Sequence, residues 1–124
     1  MSSGAMHHSH MRVNFPTLIL CGIFLSVPAR AASFDCAKAR AADERAVCAS
    51  RPLSEMDVEM AVRYQTLAGL VAMGTRGDMG DAQRDFLNAR TRCGADNACL
   101  TALYRARIGT LKSEYDALKS RGPF

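Results

Sequence analysis

From residue 51 onward, apolar residues recur at helical spacing. In "RPLSEMDVEMAVRYQTLAGLVAM" they fall at Leu53, Met56, Met60, Tyr64, Leu67 and Val71, in steps of three and four. Those steps build one stripe on one side of a helix, with Glu55, Glu59, Arg63 and Gln65 on the opposite side. Pro52 suits the first turn, and the Met56/Met60 pair reads as core filling. A second stripe, Leu100, Tyr104, Ile108, Leu111, Tyr115 and Leu118, predicts a helix from about Ala98 to Ser120, ended by Gly122-Pro123. Between the two, Ala82, Phe86, Ala89 and Cys93 share one face of a medium helix, with Arg84, Asn88 and Arg92 away from it.

The connections carry their own signals. "GTRGDMGD" holds Gly74, Gly77 and Gly80 and predicts a mobile, exposed loop, with Asp81 capping the helix that follows. Its glycines lack the strand–loop–helix frame of a phosphate-binding loop. "GADN" predicts a tight turn, with Gly94 stopping one helix and Asp96 or Asn97 capping the next. Upstream, Asp43 and Glu44 favour the start of a short helix through Cys48. Few aromatics, no long Val/Ile/Thr run, no strand-like alternation and no internal repeat complete the pattern. The expected fold is all-α: three main helices and a short N-terminal helix in one small bundle of residues 32–124.

Residues 1–31 read differently. "MRVNFPTLILCGIFLSVPARAAS" has a basic Arg12, an apolar stretch from Phe15 to Val27, and then "PARA". Ala29 and Ala31 are the small residues of a signal-peptidase site, which places cleavage after Ala31. The apolar stretch is too short for a transmembrane helix. The expected location is periplasmic or secreted. The rival is a lipid anchor on Cys21, but a lipobox wants a small residue before the cysteine and Leu20 is large. His7, His8 and His10 precede a signal peptide that can start at Met11, so they read as an over-long start and not as a metal site.

Charge adds little. Setting Arg12 and Arg30 aside from the 16 basic residues leaves 14 against 12 acidic ones, a net of +2. That is weak support for nucleic-acid or membrane binding, and none is expected.

The cysteines say more. Without Cys21, four remain: Cys36, Cys48, Cys93 and Cys99. An even number in an exported small domain reads as disulfides. Of the three pairings, spacing favours the local one, Cys36–Cys48 and Cys93–Cys99. A redox motif wants two residues between its cysteines, and five separate Cys93 from Cys99. Residues 32–124 contain no His to complete a mixed zinc site, and an oxidising compartment argues against a site of four thiolates. No metal and no cofactor is expected.

Catalytic constellations are equally thin. Residues 32–124 hold no His to act as a base, and their cysteines are committed to bridges. Glu55, Asp57 and Glu59 lie close in sequence but read as a solvated helix face. Acidic residues are too sparse for a calcium loop. These residues point to a binding or inhibitory module rather than an enzyme.

The segments "FDCAKA…DERAVCA", "LSEMDVEMAVRYQTL" and "AQRDFLNARTRCGADNACLTALYRARIGTL" together resemble the family of LprI-type lysozyme inhibitors, a domain of exported bacterial proteins. The resemblance covers Phe34 to about Leu118. It is carried by Cys36 with Cys48, Asp57, Tyr64, the Gln83-Arg84 pair, Phe86, Arg90, Cys93, Cys99-Leu100, Tyr104 and Arg107-Ile108. This chain has Phe86 where the family usually has Trp, and Thr91 where it often has Asp. The resemblance implies a periplasmic or secreted inhibitor of lysozyme-type muramidases, with a protein as partner. Asp57, Gln83, Arg84, Arg90, Tyr104 and Arg107 become the candidate motif or interface residues. Arg or Tyr side chains suit a cleft that works with carboxylates. Each also has a structural reading: Arg90 and Arg107 pairing with Asp57 or Asp85 between helices, and Tyr104 in the core stripe. A net of +2 offers no long-range attraction to a basic lysozyme. The alternative is an envelope interaction module with no lysozyme target, its contacts on the "GTRGDMG" segment or the helix faces. Neither the target nor the oligomeric state is legible in the sequence.

Overall fold

A computed structural model describes residues 32–122. The expected signal peptide and Cys21 lie outside the described residues. After a short 3-10 turn at Cys36–Lys38 come four helices: α1 (Ala42–Ala49), α2 (Arg51–Leu70), α3 (Met73–Cys93) and α4 (Asn97–Lys119). The described chain is thus an all-α bundle of three long helices and one short one, stapled by two disulfides.

Each helix end has a local cause. The Asp35 carboxylate accepts the Ala37 N–H and starts the 3-10 turn. Glu44 reaches back to accept the N–H groups of Arg40 (2.8 Å) and Ala41 (3.2 Å), one half of a capping box. Ser50 closes α1 through its backbone and opens α2 by accepting the Leu53 N–H on its hydroxyl. Asp96 accepts the N–H groups of Ala98 and Cys99, both at 3.0 Å, and so caps α4. Gly94 ends α3 at a φ of 56°, a conformation that costs a Cβ-bearing residue more than glycine.

The contacts define the direction of the helices. Gln83 meets Arg107 and Phe86 meets Tyr104, so α3 and α4 run antiparallel. Gln83 meets Met60 and Arg90 meets Asp57, so α3 is antiparallel to α2 as well. The core is one cluster: Val47 of α1; Leu53, Met60 and Leu67 of α2; Met79 and Phe86 of α3; Leu100, Tyr104, Ile108, Leu111 and Leu118 of α4. Cys36–Cys48 (Cα–Cα 5.8 Å) ties the leading segment to α1, and Cys93–Cys99 (5.6 Å) clamps the turn between α3 and α4. Each closed loop removes freedom from the unfolded chain, an effect of about 2–3 kcal/mol.

Several expectations need correction. "GTRGDMGD" is not a loop: it forms the first turns of α3, and Asp81 lies inside that helix rather than at its cap. Gly74, Gly77 and Gly80 have no positive φ and simply continue the helix. Tertiary contacts outweigh their poor propensity. Met79 is buried in the core, and Arg76 donates to the carbonyls of Ala68 and Val71, closing the end of α2 from the next helix. Helix α2 correspondingly stops at Leu70, short of Met73. Tyr115 leaves its stripe and is exposed. Asp57 does not belong to a solvated face with Glu55 and Glu59; it is completely buried.

Two outcomes follow for the fold. A Cβ on Gly77 meets nothing within 4 Å. Gly77→Ala therefore raises stability by about 0.4–1 kcal/mol in denaturant titration; a loss would mean that this segment is not helical. The two backbone N–H groups hold the Glu44 carboxyl below its usual range. A depressed carboxyl pKa stabilises above the unfolded value, and that stability disappears as pH falls through the folded value. Glu44→Gln is expected to be less stable than wild type at pH 7, with the gap closing in acid below about pH 4.

Candidate functional site

The sequence candidates separate into three groups. Asp57, Arg90 and Tyr104 meet at the centre of the bundle. Asp57 Oδ1 accepts the Tyr104 hydroxyl at 2.8 Å and lies 3.7 Å from Arg90 Nη1. Arg90 Nε donates to Asp43 Oδ2 at 2.8 Å, and its Nη1 approaches the Tyr104 oxygen at 3.5 Å. Asp57 Oδ2 accepts the Ser33 N–H at 2.7 Å. The Phe34 ring covers the Arg90 guanidinium at 5.3 Å, and Phe86 packs edge-on to Tyr104 at 5.1 Å. One network thus joins all four helices to the leading segment.

Helical register explains why these polar groups point inward. Asp57 stands four residues after Leu53 and three before Met60. Arg90 follows Phe86 by four, and Asp43 precedes Val47 by four. Each therefore shares the inward face with its apolar neighbour. Asp43 was not among the expected candidates, because its acidic side chain also suits the first turn of α1. Its position on the Val47 face was the available signal.

Burial sets the protonation states. It disfavours the Arg90 cation, but Tyr104 and Asp43 more than offset this and push the guanidinium pKa up. Burial and then the Asp57 carboxylate push the Tyr104 phenol far above its ordinary value, with Arg90 acting against them. Tyr104 is therefore a fixed hydrogen-bond donor at physiological pH, not an acid or base. Arg90 pairs with Asp57, as one structural reading expected, and also with Asp43.

Gln83 and Arg107 form the second group. Arg107 Nε donates to Gln83 Oε1 at 3.1 Å, and Gln83 donates on to the Met60 sulfur at 3.2 Å. Arg107 thus pairs with neither Asp57 nor Asp85. Burial lowers its pKa, while Glu114 works in the opposite direction. Arg107 Nη2 and Glu114 Oε2 are buried with no hydrogen-bond partner among the described residues. Arg84 stands alone as the third group, exposed and paired with Asp81 in its own helix.

Two concavities flank α2. One of about 400 Å³ lies among the C-terminal part of α2, the start of α3 and the end of α4, with Leu67, Met79, Glu114 and Leu118 on its walls. The other, about 470 Å³, is a mainly apolar groove between α2 and α4, lined by Val62, Thr66, Leu67, Leu111 and Tyr115, with the Glu59–Arg63 ion pair at its edge. Among the described residues no group of three or more His, Cys, Asp or Glu side chains is placed to hold a metal ion, and no helix is long and apolar enough to cross a membrane. No protein-family model, curated protein or solved structure matches the chain.

The network generates a stability prediction. Arg90→Met leaves Asp43 and Asp57 without their cation and is expected to cost about 3–5 kcal/mol. Tyr104→Phe removes one donor from Asp57 and costs about 1–3 kcal/mol. Urea titrations of both variants check the order; an Arg90→Met loss smaller than that of Tyr104→Phe would sink the assignment of Arg90 as the central cation.

Proposed function

We propose that this chain is an exported, disulfide-stapled binding module that docks non-covalently on a lysozyme-type muramidase and inhibits it. The observation that carries the binding reading is the split between inward chemistry and outward apolar surface. Asp57, Arg90 and Tyr104 are spent on one another inside the bundle, whereas Val62 and Tyr115 are 56% and 44% exposed beside the α2–α4 groove. A rigid helical face with an aromatic residue at its edge suits protein docking better than chemistry on a small substrate. The resemblance to LprI-type inhibitors supplies the class of target. The two disulfides fit an oxidising compartment outside the cytoplasm, where such a target is met.

A second reading is favoured by the burial of the motif. Where the motif residues hold the fold, the resemblance extends to any module built on this scaffold, including one that binds another envelope protein and leaves muramidases active. Arg84 is the one motif arginine exposed to solvent, where it pairs with Asp81.

Purified mature protein is expected to reduce the activity of at least one lysozyme-type muramidase at stoichiometric ratio. Val62→Asp or Tyr115→Ala is expected to weaken that inhibition about tenfold while leaving the far-UV spectrum unchanged. Full activity of several muramidase types together with no measurable binding would eliminate the inhibitor reading and leave the envelope module.

A further inference from the structure

The central network has one more negative charge than positive. Asp43 and Asp57 are both enclosed, and Arg90 is the only side-chain cation that pairs with them among the described residues. Asp43 lies in the first turn of α1, where the helix N-terminus offsets part of its charge. Asp57 lies inside α2 and has no such offset. Its Oδ2 faces the leading segment, where it accepts the Ser33 N–H. The residue before Ser33 is Ala32, which is 3% exposed. Ala32 is also the residue that cleavage at "PARA" leaves at the head of the chain.

We propose that the processed amino terminus is part of this network: cleavage of the Ala31–Ala32 bond delivers the α-ammonium of Ala32 as the second cation facing Asp57. Hydrolysis consumes one water, leaves a carboxylate on Ala31 and frees an amino group on Ala32 that takes up a proton at neutral pH. One residue of chain spans at most about 3.6 Å, so the new ammonium stands about 6 Å or less from Asp57 Oδ2. At that distance, beside a fully buried carboxylate, the opposite charges attract. The uncleaved chain has a neutral amide at the same place and leaves the charge unbalanced. Removal of the leader thus completes the core electrostatics, and the mature form is more stable than its precursor. The inference rests on cleavage after Ala31 and is independent of which partner the protein binds.

The charged and titratable groups nearest this end of the chain are Asp57 from α2, which accepts the Ser33 N–H, then Arg90 from α3 and Tyr104 from α4 on its other oxygen, with Asp43 from α1 beyond Arg90. The attraction between the ammonium and Asp57 exists only while the amine is protonated. Deprotonation in alkali removes that attraction and the stability it contributes.

The test exports the full chain from a bacterial host, beside a second chain with one Gly inserted between Ala31 and Ala32. Intact mass reads the first residue of each product. The expected result is a wild-type product that begins at Ala32. The Gly-led product is expected to have an unfolding equilibrium constant about tenfold larger at pH 7, a gap that narrows in alkali. Asp57→Asn in both chains is expected to close the gap. A third measurement does not depend on that variant folding: acylation of the wild-type α-amine is expected to be about tenfold slower in the native protein than in urea. A product that begins elsewhere, equal stability of the two forms, a gap that survives Asp57→Asn, or an α-amine that reacts equally fast when folded would each overturn the proposal.

Discussion

The buried contact between Asp57, Arg90 and Tyr104 is the constraint on which the rest of the bundle depends. A carboxylate with no accessible surface is tolerable only when its oxygens accept hydrogen bonds and a cation lies nearby. Asp57 meets that demand with a hydroxyl from α4, a guanidinium from α3 and a backbone N–H from Ser33. Arg90 in turn brings in Asp43 from α1. These requirements are directional, unlike the apolar packing around them, so they select one register for all four helices. A slip of α3 by one residue would leave both carboxylates without their cation.

The disulfides act at the edges of this arrangement. Cys36–Cys48 holds the leading segment against α1, which keeps Ser33 and Phe34 beside Asp57 and Arg90. Cys93–Cys99 fixes the reversal between α3 and α4, and that reversal brings Phe86 and Arg90 opposite Tyr104. A domain of about ninety residues has a limited apolar core, and covalent closure offsets that shortage. The inside and the outside of the bundle are correspondingly different. The polar groups with the richest chemistry are consumed in holding the shape, and the surface beside the α2–α4 groove is helical and partly apolar.

Much of the fold was legible because local rules and burial agreed. The Leu100–Leu118 stripe, the Gly94 stop and the Asp96 cap locate α4 to within a residue at each end. Cysteine spacing anticipated both bridges. The start of α3 was not legible, since three glycines in eight residues argue for a loop until Met79 and Arg76 are known to have partners on other elements. For Asp57 two readings compete, a solvated face and a pairing with Arg90 between helices, and the structure bears out the second. Charge placed it with Glu55 and Glu59, although its register placed it between Leu53 and Met60. Among the candidates, Arg90, Tyr104 and Asp57 do converge, whereas Asp43 joined them only once α1 was packed against α3.

The amino-acid sequence by itself determined the helical class, most helix ends, the cysteine pairing and the apolar stripes. All of these follow from periodicity and from contacts within a few residues. Only the tertiary structure decided which polar side chains are structural and which are free. A charge placed on an amphipathic helix is equally readable as exposed or as buried with a partner. The choice depends on whether an opposite charge arrives from 47 residues away, as Arg90 does for Asp43. Pairing at that distance is a property of the packed bundle, and no local pattern encodes it.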